Sequence, residues 1–313
     1  MDETAQHTAR ARTGALLAAS AFVVWGIVPI YFKQLKDVPP FEVIAHRVVW
    51  TLLFTGIVML VTGRGNGFLQ LLQNRRRALG LVASGLCIAA NWLLFVWAVN
   101  TGRVLETSLG YFINPLLSIF LGMALLGERL RPAQYLAVTI AGTGVLLSLT
   151  VYGKLPWISL TLAGSFGLYG LLRKNIRVDA VTGLFTETLI LLPLTLVYLG
   201  YLNYNGADHF FGGSPRSQVL LASTGVVTAI PLMLFAIGAR RVNLSTIGIL
   251  QYIAPSLSFL VAVLFYQEPL DLARLVTFAF VWAALAIYTV DAIHTTRRNY
   301  VNTRAAQATA SAS

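Results

Sequence analysis

The sequence predicts an all-α polytopic membrane protein with ten transmembrane helices in two inverted five-helix repeats. Three observations predict it. Apolar runs of about 20 residues, the length that crosses the hydrocarbon of a bilayer, recur from end to end of the 313 residues. The chain is 57% hydrophobic and only 11% charged, against about 25% charged residues in soluble domains. A stretch of the first half also returns in the second at a constant offset of 140 residues.

The spans follow in order. The first, 14–33, comes after Arg10 and Arg12. Its apolar run continues through Trp25 to Phe32, too long for a signal core, so it reads as retained. The second, 42–62, contains His46 and Arg47. Spans 79–100, 104–126 and 132–151 complete the first half, and 156–173, 180–199, 218–239, 244–266 and 270–291 make the second. These runs are too long and too uniformly apolar for barrel strands, and only helices or closed barrels satisfy their backbone in lipid. The units are therefore a tail 1–13, a repeat 14–151, a repeat 156–291 and a tail 292–313. The last is rich in Ala, Thr and Ser after Arg298 and is expected to be disordered.

Charge sets the orientation. Sixteen Lys and Arg flank one side of the spans (Arg75, Arg76, Arg77, Arg173, Lys174, Arg240 and Arg241 among them) and six flank the other. The bias puts both termini in the cytoplasm, and the connection 200–217 outside. The net charge of +11 does not point to nucleic acid, because it is split into short clusters between apolar runs. Cys87 is the one cysteine, so no disulfide forms within the chain, and His7, His46, His209 and His294 show no metal-ligand spacing. No cofactor is implied, and nothing resembles a nucleotide-binding loop.

The repeat is most visible between 111–130 (YFINPLLSIFLGMALLGERL) and 251–270 (QYIAPSLSFLVAVLFYQEPL). Ile113, Pro115, Leu117, Ser118, Glu128 and Leu130 match Ile253, Pro255, Leu257, Ser258, Glu268 and Leu270. Leu94 and Phe95 match Leu234 and Phe235 at the same offset. At a slightly different one, Phe22-x-x-Trp25-Gly26 resembles Phe166-x-x-Tyr169-Gly170. Five helices per repeat is an odd number, so the second copy enters the membrane from the opposite side. Many secondary transporters are built this way around a midplane site. Duplication for a stable bundle is the plainer alternative.

The segments AFVVWGIVPIYFK, FEVIAHRVVW, TETLILLPL and QYIAPSLSFLVAVLFYQEPL resemble the RarD group of the EamA family, within the drug/metabolite transporter superfamily. The resemblance covers about 14–291. It implies ten helices in two inverted repeats, a central cavity, and export of small metabolites or drugs. The group's name is linked to chloramphenicol sensitivity, which does not settle the physiological substrate. One departure is Tyr-Gln-Glu at 266–268, where a Gly-Glu such as Gly127-Glu128 is common.

The residues that promise chemistry are those a membrane span tolerates least. A charge inside a span costs on the order of 2.5–3.5 kcal/mol. Arg47 faces a cavity as a permanent cation for a carboxylate-bearing substrate, or it snorkels to the interface as an anchor. Glu187, at offset 140 from Arg47, is the one acid read as well inside a span. It caps the inner end of the cavity, carries a coupling proton, or bonds a neighbouring helix. A direct Arg47–Glu187 pair is disfavoured, because inverted topology separates their depths. His46 is the other titratable candidate, or a packing histidine. Pro115 and Pro255 are expected to kink spans 4 and 9 as a symmetric hinge. Trp25, Tyr31, Trp50, Asn91, Trp92, Tyr111, Asn114, Tyr169, Gln251 and Tyr252 are expected to line the cavity, as aromatics with a polar edge suit an amphipathic small molecule. Glu128 reads as a turn device.

The reading is therefore a carrier with a small-molecule substrate in a lipid bilayer, open to proton coupling and silent on oligomeric state. An intramembrane enzyme needs a nucleophile or metal motif, and none is present. A channel needs charge rings or carbonyl filters. A flippase for a lipid-linked anion is the alternative kept, since Arg47 suits a headgroup.

Overall fold

The computed structural model describes residues 3–101, 104–152, 157–265 and 272–312, and these form helices with no strand among them. The first half comprises α1 (Glu3–Phe32), a 3-10 turn (Lys33–Leu35), α2 (Pro40–Val61), α3 (Gly65–Gln73), α4 (Arg75–Asn100), α5 (Val104–Leu126) and α6 (Pro132–Tyr152). The second comprises α7 (Trp157–Asn175), α8 (Ala180–Tyr204), α9 (Pro215–Ala239), α10 (Leu244–Gln251), α11 (Ile253–Leu264) and α12 (Leu272–Ala312). Seven helical stretches among the described residues are long and apolar enough to cross a membrane, and Gly110–Leu126 and Pro132–Leu147 are shorter apolar helices.

Local chemistry explains where helices start. Pro40 opens α2, where its missing N–H costs nothing. Asp179 caps α8 by accepting from the N–H groups of Val181 and Thr182, both at 3.1 Å. Ser214 caps α9 through the Ser217 N–H at 3.2 Å. The α10 start is capped from the connection between α5 and α6. Glu128 accepts from Leu244 N at 2.7 Å, Ser245 N at 2.9 Å and Ser245 Oγ at 2.6 Å, and Lys174 Nζ lies 3.8 Å away. Glu268, its match in the repeat, lies outside the described residues, as do the end of span 9 and the start of span 10.

Three features differ from expectation. The segment taken as a disordered C-terminal tail continues α12 to Ala312, in a run whose alanines favour helix. α3 was not expected; its Leu71 is buried with Leu81 and Val178. Span 9 is broken, since α10 ends at Gln251 and α11 starts at Ile253. Pro255, in the first turn of α11, has no N–H for the Gln251 carbonyl. Pro115 instead sits within the unbroken α5. The two prolines therefore do not shape their helices alike.

Packing relates the two halves. α5 packs on α7 as α10 and α11 pack on α1; α4 packs on α7 as α9 packs on α1; α2 packs on α9 as α8 packs on α4. α2 with α8, α5 with α10 and α6 with α12 complete the set. Glycine lets helices cross closely. A Cβ on Gly225 would fall 2.4 Å from the Trp50 carbonyl carbon, and one on Gly248 would fall 2.6 Å from the Pro115 oxygen. The main core gathers Phe22, Tyr169, Leu184, Leu232, Phe235 and Ile247, with Trp25 and Phe166 packed against it.

Candidate functional site

α2 places Arg47 about 10 Å from the start of the helix, at 1.5 Å per residue. Its Nε donates to Thr228 Oγ1 on α9 at 3.0 Å. Its guanidinium carbon lies 4.6 Å from the Trp92 ring centre on α4 and 5.2 Å from that of Phe32 on α1. Tyr31 and Tyr111 are near enough to couple electrostatically to it. The Tyr31 hydroxyl donates to the Leu220 carbonyl and lies 2.8 Å from Ser223 Oγ. Among the described residues no carboxylate pairs with Arg47. Arg47 is partly exposed and Tyr111 is 51% exposed. Trp50, one turn beyond Arg47, has a buried Nε1 with no hydrogen-bond partner. An orphan donor of this kind is a place where a ligand or water is needed.

Glu187 is treated differently. It is sealed at 1% exposure, with Ser84 Oγ donating to it at 2.5 Å and Arg173 Nη1 at 3.7 Å. Arg173, read from the sequence as a flanking charge, is itself 2% exposed. The sequence reading rejected a direct Arg47–Glu187 pair, and Glu187 indeed pairs elsewhere, joining α4, α7 and α8. Of its three sequence readings, the geometry displays the bond to neighbouring helices.

A third cluster holds His46, which turns away from Arg47. His46 is 5% exposed, with Nε2 4.0 Å from Glu42 Oε1 and its ring 5.0 Å from that of Phe210. Glu42 is fully buried and accepts from His209 N at 2.7 Å, with His209 Nδ1 at 2.8 Å. Glu42, the first residue of the second predicted span, is a second buried acid that the sequence analysis does not single out. The signal was available: Glu42 and His46 are four apart, on one helix face.

The remaining sequence-named residues divide. Tyr169 at 1% and Tyr252 at 0% exposure are core side chains and do not line an open space. Tyr169 stacks on Phe235, and the Tyr252 hydroxyl donates to the Phe112 carbonyl at 3.2 Å. Asn91 ties α4 to α7 through the Leu162 carbonyl at 2.9 Å and Ser165 Oγ at 3.0 Å. Trp25 packs among Phe22, Phe166 and Phe235. Gln251 donates to Ser118 Oγ at 3.0 Å, while its Oε1 and the Asn114 Oδ1 are buried without a hydrogen-bond partner. The structure thus gathers Arg47 and Trp92 with Phe32 and Thr228, and places Trp25, Asn91, Tyr169 and Tyr252 in packing roles.

The model of the EamA-like transporter family matches residues 12–150. Protein RarD of Escherichia coli (strain K12) is 48% identical over 288 residues, covering 92% of this chain and 97% of that protein. The chain belongs to the RarD group of the EamA family. An uncharacterized transporter of Pseudomonas aeruginosa is 46% identical over 93% of this chain and 98% of its own length. A second protein of that organism, named chloramphenicol-sensitive protein RarD, is 32% identical over 91% of this chain and 96% of its own length. A crystal structure that is 20% identical superposes with a TM-score of 0.68, covering 89% of this chain and 98% of that one, a likeness of fold alone. As a member of the RarD group the chain is an integral membrane transporter of a small molecule.

Proposed function

We propose that the chain is a secondary transporter of ten spans in two inverted five-helix repeats, exporting a small amphipathic molecule by alternating access. It works in the cytoplasmic membrane of a bacterium with both termini inside. The substrate carries a carboxylate, phosphate or similar acceptor beside an apolar or aromatic body. The observation that carries this reading is Arg47: a permanent guanidinium held by a neutral hydroxyl and two aromatic rings, without a carboxylate among the described residues. Such a group has a charge to offer an incoming anion and a planar fork to hold it. The matching pattern of helix contacts supports the inverted repeat. The break at Tyr252 supports a moving element in the second half.

The test is uptake into inverted membrane vesicles, with and without a pH gradient. Chloramphenicol is the first compound to screen, since one relative is named for sensitivity to it. A gradient-dependent rate assigns proton coupling, for which Glu187 and His46 are the candidate proton sites. Arg47→Lys keeps charge but loses the fork, and is expected to transport less well than wild type. Equal transport by Arg47→Lys at matched abundance makes Arg47 an anchor and removes the reading.

A further inference from the structure

We propose that Glu42, His46 and Asp208 form a binding site for a first-row divalent cation of the zinc type, seated between α2 and the connection from α8 to α9. The connection brings Asp208 to a helix face 162 and 166 residues away in the chain, so no sequence spacing reveals the site. One ligand atom from each residue lies within 4.8 Å of the others. A zinc ion about 2.0–2.2 Å from each donor sets tetrahedral donors roughly 3.4 Å apart. The cluster therefore closes on an ion by shifts on the order of 1 Å.

His46 makes this more than a cluster of acids. Its Nε2 is buried and has no hydrogen-bond partner, and it lies 4.0 Å from Glu42 Oε1. A ring nitrogen buried without a partner is penalised in either tautomer, and the unprotonated nitrogen of a neutral imidazole has a lone pair to offer. A metal ion is the partner that suits it beside two carboxylates. The carboxylates are already aimed. Glu42 is oriented by the His209 N–H and ring, at 2.7 and 2.8 Å. Asp208 Oδ1 accepts from Phe210 N at 2.8 Å and Phe211 N at 2.6 Å. Hydrogen bonds of this kind hold ligand carboxylates in place around metals, and carboxylate oxygens keep lone pairs for the ion.

Charge and access agree. Among the described residues, Glu42 pairs only with His46 and His209, and Asp208 has no ion pair. Two carboxylates facing one imidazole leave a negative site for a dication. Glu42 and His46 are buried, but Asp208 and His209 are partly exposed and open a path from solvent. One nitrogen and two oxygens, with positions left for water, suit Zn²⁺, Co²⁺ or Mn²⁺. A bound ion would tie the connection to α2. It would also hold Phe210, whose ring sits 5.0 Å from His46 and 5.6 Å from Trp50, over the end of α2 that carries Arg47. The inference stands on this cluster alone and does not depend on the substrate or direction of transport.

The test uses the full chain, purified in detergent, stripped with a chelator and titrated calorimetrically with ZnCl₂. A parallel titration with CoCl₂ reads visible absorption. One Zn²⁺ per chain is expected, with a Co²⁺ spectrum of low coordination number. Asp208→Asn keeps an oxygen for the Phe210 and Phe211 amides but loses the ligand charge, so it is expected to weaken binding at least tenfold while remaining monodisperse. His46→Gln is expected to do the same, and His7→Ala with His294→Ala to leave binding unchanged. If His46→Gln does not fold, Asp208→Asn decides. No Zn²⁺ binding up to millimolar concentration overturns the proposal and leaves a hydrogen-bonded cluster. So does binding that Asp208→Asn does not alter.

Discussion

Arg47 and Glu187 stand 140 residues apart, at matching positions of the two halves, yet the fold surrounds them in opposite ways. Glu187 is sealed with Arg173 at its side and Ser84 donating to it. Arg47 keeps some exposure and, among the described residues, bonds a hydroxyl and lies against aromatic rings with no carboxylate partner. The difference teaches how to tell a structural charge from a working one. A buried pair neutralises itself, gains little net stability, and is costly only when one partner is taken away. A fixed cation with neutral neighbours is left unneutralised, and that is useful only if something anionic arrives.

The largest effect is expected on the sealed side. Arg173→Met or Glu187→Leu alone leaves an unpaired buried charge and should destabilise the protein by about 3–5 kcal/mol. The double variant should recover most of that loss. Thermal unfolding in detergent measures it, and single variants no worse than the double would show that the pair is not coupled. Arg47→Gln should act the other way round. It strands no carboxylate, so the unfolding temperature should stay near wild type, while transport of an identified substrate falls at least tenfold. A large loss of stability with normal residual transport would reverse the comparison.

Smaller effects sharpen it. Thr228→Val removes the hydrogen bond to the guanidinium, worth about 1.5 kcal/mol at the low end for a charged group, so roughly a tenfold loss of substrate affinity is expected. Trp92→Leu removes a cation–π contact of about 0.5–1 kcal/mol and should cost a few-fold. Both are read as substrate binding at matched folding, and neither should alter the Glu187–Arg173 side. The smallest contrast concerns the prolines. Pro255→Ala, at the break between α10 and α11, should slow transport more than Pro115→Ala in the unbroken α5. Equal rates in both would remove the hinge.

Much of the helical layout was legible because lipid allows a long apolar run little else. Each predicted segment falls on helix over its described residues, apart from a few end residues and the break at Tyr252. That break was only half legible. The proline was visible, but the same proline leaves α5 intact, so its effect depends on the neighbours. Tyr169 and Tyr252 show the limit for site residues. An aromatic with a polar edge looks the same in sequence whether it faces a cavity or a core, and both face the core. Arg173 was misread for a related reason. A basic residue in the last turn of a helix ordinarily marks an interface, and only its packing against α8 makes it a buried partner.

By itself the sequence determined that the chain lives in a membrane, where most of its helices lie, and that Arg47 needs an explanation. Those are consequences of transfer free energy and backbone hydrogen bonding, which act residue by residue along the chain. Only the tertiary structure decided which charges are paired. Arg173 meets Glu187, Glu42 meets His209, and Arg47 meets no carboxylate among the described residues. Pairing acts over a few ångströms between helices far apart in sequence, and composition carries no record of which faces will meet.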